Sequence, residues 1–150
     1  MAREYPQRLH HAVPAWVKGG SVFHVRLRTA LDQVVPLTAP ELAPQILKAV
    51  QRYHELAHWW CQLVVVMPDH LHALLSFPAD AAMAATVRDW KRGTARFQSV
   101  RWQTNFFDHR IRTTAERDKT WIYMLNNPVA KGLVARPEEW PWQWTAGGTR

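Results

Sequence analysis

Two histidines, a tyrosine and an asparagine stand at spacings that suit phosphoryl chemistry. His70 and His72 flank Leu71; on an extended strand alternate side chains share a face, so both imidazoles point one way and Leu71 the other. The pair makes a two-nitrogen claw for a metal ion, although two histidines do not complete a site and an isolated His-x-His is more often structural. Tyr123 has Lys119 four residues before it and Asn127 four residues after it, which on a helix sets all three along one side. A phenol with a reference pKa of ~10 is a weak nucleophile at neutral pH, and needs a metal-activated phosphate or a neighbouring cation to attack phosphorus. Lys119 would supply the cation. Asn127 would offer its side-chain oxygen as a third metal ligand, and reads equally well as a polar residue closing a helix before Pro128. Tyr123 by itself reads as a half-buried core position.

The hydrophobic pattern supplies elements to carry these groups. Residues 21–29 alternate Val22, Phe23, Val25 and Leu27 with Arg26 and Arg28, a strand with one polar face. Residues 40–57 carry Leu42, Ile46, Leu47, Val50 and Tyr53 at helical spacing. Residues 60–67 and 70–77 are apolar runs broken at Pro68-Asp69, a hairpin whose second strand bears both histidines. Residues 84–100 put Val87, Trp90, Thr94 and Phe97 on one helical stripe and Arg88, Arg92 and Arg96 on another. Residues 106–112 alternate as a fourth strand, and residues 115–127 read as a third helix stopped by Pro128. The order β, α, β, β, α, β, α predicts an α+β fold: an antiparallel sheet with helices on one face and a C-terminal helix bearing the tyrosine. Three segments are expected: an extended basic arm over 1–20 with Arg3, Arg8, His10 and His11, a catalytic domain over 21–136, and a Trp-rich tail over 137–150.

The charge balance points to a polyanionic partner. Nineteen Lys and Arg against twelve Asp and Glu give a formal charge of +7 and a pI near 10.2. Fourteen of the cations are Arg, whose planar fork matches phosphate oxygens better than the point charge of Lys, so nucleic acid is favoured over an acidic membrane surface. Arg88, Arg92 and Arg96 would follow a phosphate backbone, with Arg26 and Arg28 adding charge nearby; an ordinary solvated helix face explains the same pattern. Trp140, Trp142 and Trp144 would stack on bases if the tail is extended, but core packing is the simpler reading. His24, His54, His58 and His109 read as surface or hydrogen-bonded residues. Cys61 is the single cysteine, so no intrachain disulfide is expected. No apolar run approaches the ~20 residues that span a bilayer, and the first residues lack the order of a signal peptide. A cytoplasmic protein without membrane contact is expected.

Longer stretches carry a resemblance. Met67-Pro68-Asp69-His70-Leu71-His72-Ala73-Leu74-Leu75 looks like the His-hydrophobic-His motif of the REP-associated tyrosine transposases, single-tyrosine members of the HUH superfamily related to insertion-sequence transposases. Tyr123-Met124-Leu125-Asn126-Asn127-Pro128-Val129-Ala130-Lys131-Gly132-Leu133-Val134, followed by Pro137-Glu138-Glu139-Trp140-Pro141-Trp142, is similar to that family's tyrosine helix and the tail after it. Gly20-Ser21-Val22-Phe23-His24-Val25 and Phe107-Asp108-His109-Arg110-Ile111-Arg112 extend the similarity over nearly the whole chain.

The resemblance implies a ferredoxin-like HUH endonuclease fold in which His70 and His72 bind Mg2+ or Mn2+, Asn127 is a supporting ligand and Tyr123 is the nucleophile. It implies a metal-dependent single-stranded DNA endonuclease and strand transferase acting on hairpin, REP-like palindromic DNA through a 5′-phosphotyrosine. The arm with Arg3 and Arg8 would read a guide sequence beside the hairpin. Asp69 departs from the family's common Asn, and His109 stands where a member often has Arg, which leaves a phosphate contact there unsupported. Two histidine nitrogens suit Mn2+ better than Mg2+, so the metal stays open. Two rivals remain. A domesticated, non-catalytic hairpin-binding protein would have no chemical need for His70, His72 and Tyr123 together, and a hydrolase activating water at the histidines would leave Tyr123 unexplained. The resemblance leaves the oligomeric state open: related insertion-sequence transposases exchange the tyrosine helix across a dimer, whereas the palindrome-associated branch can complete its site in one chain, so a monomer is favoured and a dimer stays the alternative.

Overall fold

A computed structural model describes residues 13–147, and the arm residues Arg3, Arg8, His10 and His11 lie outside them. One helical turn, α1 (Ala15–Lys18), leads into β1 (Val22–Arg28), α2 (Ala43–Glu55), β2 (Trp60–Val66), β3 (His70–Ser76), α3 (Met83–Gln98), β4 (Phe107–Ile111), α4 (Thr114–Ala130) and β5 (Gln143–Trp144). The strands form one antiparallel sheet in the order β4-β1-β3-β2-β5. Its first four strands with α2 and α3 make the βαββαβ unit of a ferredoxin-like fold, as expected. The turn α1 falls in the stretch read as extended arm, and β5 is an addition to the expected elements.

Strand alternation assigns each side chain its face. On β1, Phe23, Val25 and Leu27 join Val64, Val66, Leu71, Ala73 and Leu75 on one side of the sheet. Helix α2 covers that side with Ile46 and Val50, and α3 with Val87 and Trp90. The 3–4 residue spacing of those apolar positions makes one buried stripe per helix. On the opposite side Leu63, Val65, Met67 and Leu74 pack under Met124 of α4 and under Trp140. An irregularity in β2 between Cys61 and Leu63 makes the change of face possible. Cys61 faces α2 and α3, and Leu63 faces α4, because the extra residue Gln62 shifts the alternation by one.

Helix α4 starts firmly and ends late. The Thr113 hydroxyl accepts the Glu116 N–H at 3.0 Å, and the Glu116 carboxylate accepts the Arg112 N–H at 2.8 Å, a reciprocal cap of the first turn. Pro128 does not stop the helix, contrary to the sequence reading: it lies inside α4, which continues to Ala130. Near the end of a helix a proline costs an internal hydrogen bond, and burial of its ring offsets that loss. The stop comes at Gly132, whose left-handed φ of 73° lets the Leu133 N–H reach the Pro128 carbonyl at 2.9 Å.

The tail continues into the sheet. Pro137–Glu139 form a 3-10 turn, the Trp140 indole N–H donates to the Val66 carbonyl at 3.0 Å, and β5 pairs Trp144 with Val64 and Gln143 with Val65. Trp140 is buried, while Trp142 and Trp144 pack partly buried against the core. All three serve packing.

Candidate functional site

β1 and β3 bring one row of polar side chains under the C-terminal half of α4. Their register sets Arg28 opposite His70, Arg26 opposite His72 and His24 opposite Leu74, and alternation turns all of them to the α4 side. Met124 anchors the helix in the apolar cluster. One turn further on, Asn127 is carried over His72.

His72 is the centre of the site and is fully buried. Its Nε2 lies 3.2 Å from His70 Nε2 and 3.1 Å from Asn127 Oδ1. Three donors thus converge from two strand positions and one helix position, all nearly removed from solvent. The sequence had left Asn127 open between helix terminator and ligand candidate; in the fold it is buried against His72, inside the helix. The Asp69 carboxylate sits behind His70, with Oδ1 at 2.7 Å from Nδ1, and Arg28 donates to its other oxygen at 3.2 Å. Asp69 therefore accepts the Nδ1 proton and leaves the His70 Nε2 lone pair facing the cluster.

The electrostatics keep these rings neutral. Burial, followed by the charges of its neighbouring histidines and Arg26, pushes His72 down to about 3 despite its hydrogen bond to Asn127. Burial and the nearby charges of Arg26 and His109 push His24 down to about 4. Burial lowers His70 too, with the Asp69 carboxylate partly opposing it. For Asp69, burial pushes the carboxyl up, but the hydrogen bond to His70 and the charges of His70 and Arg28 outweigh it and hold the group below the usual range. A neutral imidazole is the form that ligates metals.

Donor geometry also suits a small divalent ion. Adjacent ligands of an octahedral ion with bonds of ~2.1 Å are about 3.0 Å apart, and those of a tetrahedral ion are slightly further. The separations of 3.2 and 3.1 Å match this range. Among the described residues no three His, Cys, Asp or Glu side chains cluster in a metal-binding arrangement; the trio reaches three donors through the amide oxygen of Asn127. Two nitrogens and one oxygen leave open coordination positions for water or a substrate oxygen.

Tyr123 stands at the rim. Its ring centre is 5.8 Å from that of His72, edge-on at 84°, and the residue is 52% exposed, open enough for a macromolecular substrate to reach it. Lys119, one turn earlier on α4, is exposed. Arg26 lies over the Phe107 ring at 4.6 Å, so it and Arg28 belong to the site's own side of the sheet. Arg88, Arg92 and Arg96 are exposed on α3, which covers the opposite side; Arg92 pairs with Asp89. His109 pairs with Glu116. Sequence reasoning missed His24, which approaches His72 Nδ1 to 3.4 Å, and the support of Asp69. The available signal was alternation on β1, which puts His24 on the same face as Arg26 and Arg28.

The sequence matches no protein-family model and no curated protein. The fold has a clear counterpart. A solved structure of a REP-associated tyrosine transposase bound to a REP hairpin is similar over 95% of this chain and 81% of that one, with a TM-score of 0.71 at 20% sequence identity. The five-stranded α+β architecture described above is thus the fold of a tyrosine transposase structure.

Proposed function

We propose that this chain is a REP-associated tyrosine transposase: a metal-dependent single-stranded DNA endonuclease and strand transferase acting on hairpin, REP-like palindromic DNA. The observation that carries the reading is the approach of His70 Nε2 and Asn127 Oδ1 to 3.2 and 3.1 Å of His72 Nε2, beside the half-exposed Tyr123 and within one chain. The likeness in fold to a transposase bound to a REP hairpin supports the choice of DNA hairpin as substrate.

In this reading the Tyr123 phenolic oxygen attacks the scissile phosphorus. The new O–P bond forms as the P–O3′ bond breaks, the phenol proton passes to solvent, and the leaving 3′ oxygen takes up a proton. The product is a 5′-phosphotyrosine that keeps the energy of the phosphodiester, so a free 3′ hydroxyl can reverse the step on the same or another strand. Mg2+ or Mn2+ held by His70, His72 and Asn127 would supply polarisation of a non-bridging phosphate oxygen. Arg26, Arg28 and Lys119 on this side would steer and hold the strand by charge, and the N-terminal segment with Arg3 and Arg8, outside the described residues, would read sequence beside the hairpin. Because α4 of the same chain completes the donor set, the proposed active form is a monomer working in the cytoplasm; among the described residues no helix is long and apolar enough to cross a membrane.

The test is incubation with a library of labelled single-stranded hairpins and Mn2+ or Mg2+, followed by a denaturing gel. A covalent, metal-dependent band in the wild type that disappears in Tyr123→Phe is the expected result. Binding without any adduct would make the chain a hairpin-binding protein, and cleavage that survives in Tyr123→Phe would make it a water-activating hydrolase.

A further inference from the structure

His24 is buried on β1, 48 residues from His72 in sequence, and lies beside it without being a candidate ligand. The two imidazoles are only 13° from parallel, with centres 5.6 Å apart. An imidazole nitrogen sits roughly 1.1 Å from its ring centre, ring bonds being near the ~1.33 Å of a C–N bond with partial double-bond character. The 3.4 Å between His24 Nε2 and His72 Nδ1 plus two such radii accounts for the whole separation of the centres. The two nitrogens therefore lie on the line joining the rings, and that line runs in both ring planes. This is an edge-to-edge contact through lone pair and N–H, the geometry of a hydrogen bond, and not a face-to-face stack. Phe107 and Tyr123 present their rings at 75° and 71° to His24 and hold it in that plane.

We infer that His24 is a positioning residue that sets the tautomer of His72, so that the His72 Nε2 lone pair can be turned towards a bound cation. The inference rests on the metal site proposed above. The two histidines of the claw have different supports. Asp69 is a pure acceptor, so it fixes the His70 proton on Nδ1 permanently. His72 needs a partner that works both ways. Without metal, its Nε2–H donates to Asn127 Oδ1 and its Nδ1 accepts from His24 Nε2–H. With a cation on Nε2, the His72 proton must sit on Nδ1, and His24 Nε2 must become the acceptor with its own proton on Nδ1. Each ring keeps one proton in both arrangements. A neutral imidazole can exchange donor and acceptor roles in this way, which phenylalanine cannot.

The experiment compares the wild-type full chain with His24→Phe, which keeps an aromatic ring, and His24→Gln, which keeps a group able to donate or accept. Mn2+ affinity is read by loss of the free-ion electron paramagnetic resonance signal. The His72 tautomer is read from its ring 15N shifts without metal and with Mg2+. Expected are a loss of Mn2+ affinity of about 10–100-fold in His24→Phe, recovery to within a few-fold in His24→Gln, and a wild-type His72 proton that moves from Nε2 to Nδ1 on Mg2+ addition. His24→Phe binding Mn2+ as tightly as wild type, or a His72 proton that never changes nitrogen, overturns the role of His24 and leaves the metal site standing. A wild type that binds neither ion overturns the metal site and this inference together.

Discussion

Acid should weaken the metal-free protein through two particular rings. His24 and His72 are held down to about 4 and about 3 in the folded state, against about 6.5 for a histidine in an unfolded chain. Below that value the unfolded chain binds protons that the folded chain refuses, so stability falls as pH falls, beginning near pH 6.5 and continuing until each folded ring protonates in turn. At pH 5.5 an unfolded histidine gains about 1.4 kcal/mol relative to pH 8. Neither folded ring is protonated there, so the pair contributes a loss of about 3 kcal/mol, a large part of the ~5–15 kcal/mol that holds a domain together. The assay is urea unfolding in EDTA at pH 8 and pH 5.5, for the wild type and for a chain carrying His24→Gln with His72→Gln. His70 and His54 are also lowered by burial and remain in the double variant, so it should still decline, but by about 3 kcal/mol less than the wild type. Equal declines in the two proteins would refute the assignment of this acid sensitivity to the buried pair.

Three further outcomes follow from the same geometry. Asp69→Ala removes the acceptor behind His70 and should weaken Mn2+ binding by about 10–100-fold, with Asp69→Asn retaining most of the affinity because its amide oxygen still accepts; calorimetric titration decides. Met124→Ala deletes the fully buried side chain that seats α4 and should cost about 2–5 kcal/mol of stability in chemical denaturation, with Mn2+ affinity falling alongside as Asn127 loosens. Arg26→Ala should reduce the slope of log affinity against log salt for a single strand by about 0.7, whereas replacing Arg88, Arg92 and Arg96 together, on the far side of the sheet, should leave the rate of adduct formation unchanged at saturating DNA.

The parts legible in the sequence are those with a short period. Alternation made β1 and β4 readable, two apolar runs broken at Pro68-Asp69 made β2 and β3 readable, and the period of a strand put His70 and His72 on one face, where they lie 3.2 Å apart at Nε2. Helical spacing did likewise for Ile46 and Val50 and for Val87 and Trp90, the stripes that bury α2 and α3. Elements settled by distant partners were not readable. β5 has only two residues, and its identity comes from pairing with Val64 and Val65, about eighty positions away. The end of α4 differs from the sequence reading because Pro128 is tolerated inside the helix where its ring is buried by the tertiary structure. Asn127 was ambiguous for the same reason: a polar residue before proline reads as a terminator until the helix is known to continue over His72. His24 and Asp69 escaped because their roles depend on which strand neighbours β1 and on where Arg28 points. The arginines of α3 looked equivalent to Arg26 and Arg28 in sequence, and the sheet separates them onto opposite sides.

The most direct test of the central claim is to trap the reaction on a cleaved hairpin, digest the protein and locate the DNA remnant by mass spectrometry. A nucleotide joined through its 5′ phosphate to Tyr123, present with Mn2+ and absent with EDTA, is the predicted result. A remnant on any other residue, or complete cleavage with no remnant on the protein, would contradict it.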